Sequence, residues 1–230
     1  MKKDKEITVI VPSRKNDDES NAFIESIKNT IGCKARVIFV VNDNSMNLSR
    51  LYYNMMLNQQ IDSDIIVFCH DDIEFLKDGW GDELIRLFAK NKKFGIIGVA
   101  GSAEFDEKGA WWNYQKKYGQ VLHKHDGKSW LTAFSPLLTK DLEEVCVIDG
   151  LFMAVKRSRI TKNFDPELPG FDFYDIDFCL ANFLDGKTKI GVTTNIRLAH
   201  KSIGELSTTW YENRELINNK YGEFFPIKLN

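Results

Sequence analysis

The sequence predicts an α/β fold with a mainly parallel central sheet flanked by helices, and two observations carry that expectation. First, β-branched and apolar runs alternate with amphipathic stretches. A strand at 7–11 is followed by a helix bearing Phe23, Ile24, Ile27 and Ile31. A strand at 35–41 is followed by a helix bearing Leu48, Leu51, Tyr52, Met55 and Met56, and then by a strand at 65–69. Strand and helix in this alternation imply right-handed crossovers and parallel pairing. Second, Ile65-Ile66-Val67-Phe68-Cys69 is apolar at every position, as a strand covered on both faces requires, and it stops at His70-Asp71-Asp72. Ligands of open α/β sheets gather outside the carboxyl ends of the strands, so these three side chains are expected at the mouth of a site.

The remaining elements follow from punctuation and period. Pro12 suits the end of the first strand, because it cannot donate to the ladder. Asp17 or Asp18 is expected to cap the first helix and Gly32 to end it. Asn42-Asp43-Asn44-Ser45 is a cluster of turn formers. Residues 80–90 read as a helix with Leu84, Ile85, Leu87 and Phe88 inward, and 95–99 as a short strand. From 100 to 144 no period is sustained, and Trp111, Trp112, His123, His125 and Trp130 suggest a covering loop with short strands. Two short apolar runs surround Asp149-Gly150, and a helix is expected from the segment Phe171-Asp172-Phe173-Tyr174-Asp175-Ile176-Asp177 to near Asp185. A last strand at 190–198, then His200, then a helix at 207–221 complete the chain.

At 230 residues, with no internal repeat and no Pro- or Ser-rich linker, one domain over 1–230 is expected. A formal net charge of −2 gives no electrostatic footprint for nucleic acid. Cys33, Cys69, Cys146 and Cys179 show neither CxxC nor zinc-type spacing and read as free, mostly buried thiols of a reducing compartment. The charged N-terminus leads into a strand too short for a signal or a membrane span, so no transmembrane segment and a cytoplasmic location are expected.

Chemistry concentrates at strand ends. Adjacent carboxylates repel unless a cation or a proton relieves them, and hard oxygen ligands suit Mg²⁺ or Mn²⁺, which such sites often share with substrate phosphates. Asn42-Asp43 falls on the same sheet edge as His70-Asp71-Asp72 and suits a ligand role or an Asx-turn equally. Asp172, Asp175 and Asp177 at a helix start are favoured by its dipole. Yet Asp175 stands among Phe171, Phe173, Tyr174, Ile176 and Phe178, and a carboxylate in apolar surroundings holds its proton more tightly and can serve as a general base near neutral pH. Capping and catalysis are both open for it. His200 alone suits a structural histidine. His123 and His125 would share one face of a strand, more in keeping with a solvated edge than with a substrate contact.

Several pieces in order resemble the family 2 glycosyltransferases of GT-A fold, and within them the branch named after the streptomycin-biosynthesis glycosyltransferase. They are Val9-Ile10-Val11-Pro12-Ser13-Arg14, Val41-Asn42-Asp43-Asn44-Ser45, Val67-Phe68-Cys69-His70-Asp71-Asp72-Ile73 in place of the DXD motif, Gly98-Val99-Ala100-Gly101-Ser102, Trp111-Trp112, Val147-Ile148-Asp149-Gly150-Leu151-Phe152, Phe173-Tyr174-Asp175-Ile176-Asp177, and His200. The resemblance covers nearly the whole chain and lies in the order and spacing of the pieces. It implies a single Rossmann-like GT-A domain, with 1–100 as the nucleotide-binding half and 101–230 as a smaller acceptor-side half. It also implies inverting transfer of a sugar from a nucleoside-diphosphate sugar, a UDP-sugar first, to the hydroxyl of a glycan, lipid-linked or small-molecule acceptor. Asn42 and Asp43 would contact the base, Pro12, Ser13 and Arg14 would line the nucleotide pocket, and Asp71 would join them on the donor. Asp72 would bind Mn²⁺ or Mg²⁺ bridging the diphosphate, with His70 and His200 sharing the metal. Asp149 and Gly150 would meet donor sugar or acceptor, and Asp175 would deprotonate the acceptor. Independently of the resemblance, flat apolar rings such as Trp111 and Trp112 stack on sugar faces, so the segment from Gly101 to Trp130 is expected to cover the bound donor or acceptor.

Two departures stand out: His70 replaces the first Asp of the DXD motif, and Asp172 stands where histidine is common in the branch. The QxxRW motif of processive synthases is missing, which implies a single transfer, in the cytoplasm or peripherally at the inner face of the membrane. Two other readings compete. One is a non-catalytic sugar-nucleotide or glycan-binding module on the same fold. The other is a metal-dependent phosphohydrolase built on the Asp pair. Retention of Asp72, Asp175 and His200 together favours the transferase.

Overall fold

Residues 6–14, 16–135, 140–204 and 206–229 are described by a computed structural model. The first hundred residues follow their pattern. β1 (Ile7–Ser13) leads to α1 (Asp18–Thr30), capped by Asp17, whose carboxylate accepts the Ser20 N–H at 3.0 Å. Gly32, at φ +80°, supplies the left-handed turn after it. β2 (Ala35–Val41), α2 (Leu48–Leu57), β3 (Ile65–Cys69), β4 (Ile73–Phe75), α3 (Trp80–Lys90) and β5 (Phe94–Gly98) come next. β1 pairs in parallel with both β2 and β3, and all five residues of β3 are buried, as its unbroken apolar run requires.

The second half is more strand-rich than expected. β6 (Ala100–Ser102) and β7 (Glu104–Phe105) are followed by β8 (Lys117–His125) and β9 (Lys128–Ala133), an antiparallel hairpin. Its turn is Asp126-Gly127, with φ of 49° and 71°, the positive-φ pair that a two-residue hairpin demands. Then come β10 (Glu143–Val145), β11 (Val147–Ile148), β12 (Phe152–Lys156), α4 (Tyr174–Leu184), β13 (Lys189–Val192), β14 (Leu198–His200), α5 (Thr208–Tyr221) and β15 (Ile227–Lys228). The single strand expected at 190–198 is two strands in different sheets. The chain turns at Thr193, whose Oγ1 accepts the Asn195 N–H at 3.2 Å.

The main sheet has the order β10-β13-β5-β12-β3-β1-β2. β2, β1, β3, β5 and β13 run one way, while β10 and β12 oppose them, so the sheet is mainly parallel with β12 inserted antiparallel between β3 and β5. A second sheet, β11-β6-β8-β14-β4 with β9 on β8, packs beyond the carboxyl end of β3, and β15 pairs with β7. The core beneath the site is aromatic. Tyr52 of α2 lies 4.5 Å from Phe68 of β3 and 5.4 Å from Tyr174 of α4, and Phe164 stacks on Phe178 at 4.0 Å. Each such side chain contributes about 1.5–3 kcal/mol when fully buried, so this cluster anchors the start of α4 against β3. Cys69, Cys146 and Cys179 are buried, Cys33 is partly exposed, and all four are free.

Candidate active site

β3 ends at Cys69, and the chain turns through His70, Asp71 and Asp72 into β4. β14 lies between β4 and β8, and its register sets His200 beside Ile73 on one side and beside His123 on the other. The Lys201 N–H donates to the Asp72 carbonyl at 2.9 Å, which ties the two segments together. His70, Asp72 and His200 therefore converge, each offering a ligand atom within 4.8 Å of the others. Asp72 Oδ1 is 3.2 Å from His200 Nε2 and 3.8 Å from His70 Nδ1.

Electrostatics fit that grouping. Burial pushes the Asp72 carboxyl up, but contact with His200 and the charges of both histidines outweigh it and hold the group well below the usual carboxylate range. Burial pulls His200 down, yet Asp72 raises it above its ordinary value. His70 is lowered, by burial first and by His200, against the pull of Asp72. Asp72 Oδ1 is buried and has no hydrogen bond of good geometry, although His200 Nε2 lies 3.2 Å away. An orphaned carboxylate oxygen between two imidazoles is a donor set that fits Mn²⁺, and Mg²⁺ less well because of its preference for oxygen.

The same histidines line a cavity of about 320 Å³ that also receives Asp149, Asp175 and a set of aromatic rings. Asp149 and Gly150 connect β11 to β12, with the Asp149 N–H on the Ala100 carbonyl at 2.9 Å. Gly150 N–H donates to Asp175 Oδ2 at 2.7 Å, and Ile176 N–H donates to Asp175 Oδ1 at 2.8 Å. Phe173, at φ +63°, is a left-handed aromatic residue, a conformation costing on the order of 1–3 kcal/mol that surrounding contacts must sustain. Trp210 packs on its ring at 5.1 Å, and buried Asn213 donates to the Pro169 and Asp172 carbonyls at 2.8 and 3.0 Å. The turn at Phe173 delivers Asp175 to the first turn of α4. Burial, with the charge of Asp149 second, raises the Asp175 carboxyl to about 7 despite the backbone N–H groups it accepts. A general base with its pKa near neutrality is the chemistry this allows.

The neighbouring acids are otherwise engaged. Asp177 is buried against Lys220 at 2.7 Å and the Tyr221 hydroxyl at 2.9 Å, and Asp172 accepts the Ser207 hydroxyl at 2.9 Å. On the other side, Pro12, Ser13 and Arg14 close β1, and the buried Ser13 hydroxyl donates to Asp71. Asp43 is exposed on the same edge, after β2. Asn42, expected beside Asp43 at the base, also forms the Asx-type turn that the sequence allowed. Its side chain donates to the Met46 carbonyl at 2.8 Å and accepts the Met46 N–H at 3.1 Å, so both polar atoms hold the turn that presents Asp43.

His123, expected on a solvated edge, lines the cavity instead. Its ring stacks on Trp130 at 5.3 Å, and its Nδ1 is buried without a partner. Its two-residue spacing from buried Val121 was the available signal. His125 is exposed beside Asp126, at 3.3 Å. Trp111 and Trp112 both line the cavity, Trp111 from a buried position. Tyr174 and Trp210 also line it and had no functional reading in the sequence.

A mainly parallel Rossmann-like sheet with a metal-type cluster at a strand end, and a carboxylate of near-neutral pKa in the same cavity, is the arrangement of a GT-A glycosyltransferase. Residues 7–221 match the family described as "Glycosyltransferase like family", and the chain belongs to it. Among solved structures, GalNAc-T7 with UDP, GalNAc and Mn²⁺ is 10% identical, with a TM-score of 0.59 over 98% of this chain and 50% of that one. The mannosyltransferase PcManGT from Pyrobaculum calidifontis, in complex with GDP-Man and Mn²⁺, is 9% identical, with a TM-score of 0.55 over 95% of this chain and 64% of that one. At such identities the likeness concerns the fold. A protein of Fuscovulum blasticum, "ATP synthase subunits region ORF 6", is 26% identical over 172 residues, 71% of this chain, and the chain spans 62% of that relative's length. Among the described residues no helix is long and apolar enough to cross a membrane.

Proposed function

We propose that this protein is a metal-dependent, inverting, non-processive glycosyltransferase of the streptomycin-biosynthesis type. It moves a sugar from a nucleoside-diphosphate sugar, a UDP-sugar in the first instance, to a hydroxyl of a glycan, lipid-linked or small-molecule acceptor. One observation carries the reading: Asp175, with its carboxyl raised to about 7, shares a cavity with His70 and His200 of the metal-type cluster. The related folds solved with UDP or GDP-Man and Mn²⁺ support a nucleotide sugar and Mn²⁺, with Mg²⁺ as the alternative.

A divalent cation held by His70, Asp72 and His200 would neutralise the charge that develops on the departing nucleoside diphosphate. Asp72 contributes the anionic oxygen and the histidines contribute nitrogens. Pro12, Ser13, Arg14, Asn42, Asp43 and Asp71, at the carboxyl ends of three neighbouring strands, hold the nucleotide. Asp149 and Gly150 meet the transferred sugar. Asp175 takes the proton of the acceptor hydroxyl as it attacks, and a base separate from the leaving group suits a single displacement with inversion. In this reading residues 1–100 form the nucleotide half and 101–230 the acceptor half, and the enzyme works in the cytoplasm or peripherally at the inner membrane face.

The test is a panel of nucleoside-diphosphate sugars with and without Mn²⁺. A ligand that binds only the native state raises stability by about 2.7 kcal/mol at a hundredfold excess over Kd. We expect a Mn²⁺-dependent rise in Tm for one nucleotide family, release of nucleoside diphosphate with acceptor, and an anomeric product of opposite configuration by NMR. Binding without release would return the protein to a binding module, and release of sugar 1-phosphate to a phosphohydrolase.

A further inference from the structure

Tyr174 and Asp175 are adjacent at the start of α4, yet their side chains serve different parts of the site. The Tyr174 hydroxyl lies 2.9 Å from His70 Nε2, while Asp175 accepts the Gly150 N–H at 2.7 Å. Both meet the same glycine. A Cβ at position 150 would fall 2.1 Å from the Tyr174 hydroxyl, so only glycine leaves room for that oxygen beside His70. The ring of Tyr174 is buried and packs on Tyr52 at 5.4 Å, and the backbone of His70 is pinned by its N–H on the Leu151 carbonyl at 3.1 Å. With its main chain and Nε2 both held, the His70 ring turns Nδ1 toward Asp72 Oδ1, 3.8 Å away.

We propose that Tyr174 is a positioning residue for the metal cluster: its hydroxyl accepts the Nε2–H of His70, leaving the Nδ1 lone pair to face Asp72 and the cation. Through their shared seat on Gly150, Tyr174 and Asp175 form one rigid unit that sets both the metal ligand and the base. This rests on the metal and base roles proposed above. Ligating histidines commonly give their second N–H to such a partner, whose loss costs about 10–100-fold in metal affinity.

The test uses the full chain as wild type, Tyr174→Phe, Gly150→Ala, and each of these combined with His70→Ala. Nitrogen NMR of ¹⁵N-histidine-labelled, metal-free protein should show His70 as one tautomer, protonated at Nε2, in the wild type and as a mixture in Tyr174→Phe. Calorimetric Mn²⁺ affinity should fall about 10–100-fold in Tyr174→Phe. It should fall in the same direction in Gly150→Ala, where the hydroxyl is displaced but not removed. Neither change should weaken Mn²⁺ binding further once His70 is alanine. A purely packing role predicts a lower Tm with tautomer and Mn²⁺ affinity unchanged, and that result overturns the proposal by itself. A wild type that binds no Mn²⁺ overturns the metal reading, and this assignment with it.

Discussion

Asp175→Asn keeps the size of the side chain and an acceptor for the Gly150 N–H while removing the ionisable oxygen. Burial and the charge of Asp149 raise this carboxyl from 3.8 to about 7, so ionising it costs on the order of 4 kcal/mol more in the fold than in the unfolded chain. The folded protein keeps its proton where the unfolded chain has lost it. The stability this group contributes is therefore complete below about pH 4 and is lost as pH rises to about 7. Asparagine has no such slope. The Tm of the variant relative to the wild type should thus climb between about pH 4.5 and pH 8 in metal-free protein. For a chain of this size about 1 kcal/mol moves Tm by roughly 2–4 °C, and because Asp175 is partly exposed we take half the cost, a climb of about 4–8 °C. In turnover the same variant should lose about 10²–10⁴-fold in kcat with donor affinity little changed, and wild-type kcat/KM should fall below about pH 7 as the base protonates. A Tm offset that is flat with pH would refute the desolvated, Asp149-coupled carboxylate, and near-normal turnover would refute the base.

Asp72→Asn removes the charge that two imidazoles flank, and calorimetric Mn²⁺ affinity should drop by at least about tenfold with the fold retained. Since its carboxyl is held low chiefly by His200 against burial, the stability Asp72 contributes is present above about pH 4 and fades on further acidification, a limb that urea titrations of Asp72→Asn should lack. Lys220→Met leaves Asp177, with a side chain only 2% exposed, without its cation; a loss of about 3 kcal/mol is expected in urea, most of it restored by adding Asp177→Asn. Among the described residues the cavity has no Lys or Arg, while Asp149, Asp172 and Asp175 line it. An uncharged donor sugar should therefore bind at least about tenfold more tightly than the uronic acid on the same nucleotide, and equal affinities by titration would refute the argument.

β3 was legible because five consecutive apolar residues suit a strand covered on both faces, and its abrupt polar end marked the sheet edge where chemistry collects. The turn at Gly32 was equally plain and the cap was narrowed to Asp17 or Asp18, since each rests on local backbone chemistry. What local pattern does not carry is adjacency. Nothing in Phe152–Lys156 says that it enters antiparallel between β3 and β5, and nothing in 190–198 says that its two ends belong to different sheets. The site shows the same division. His70 and Asp72 are neighbours in sequence, but His123 gains its place only through a strand register set about eighty residues downstream, at β14. Tyr174, in an apolar setting, reads as core until its hydroxyl is found against His70. Asn42 shows another side of this, a polar residue at a promising strand end whose side chain donates to and accepts from Met46 in its own turn.

The seat of β12 bears on how the chain is made. A nascent chain that has emerged only as far as β5 holds two strands, β3 and β5, whose facing edges are not native partners of each other. Their partner, β12, begins about fifty-four residues after β5 ends, which is roughly 3–11 s at ordinary rates of synthesis. Through that interval two apolar edges stand open, and open edges template wrong pairings. Closure of the sheet waits for the ribosome, so the late half of the chain guards the early half, and the demand for chaperones falls in mid-translation, not at release.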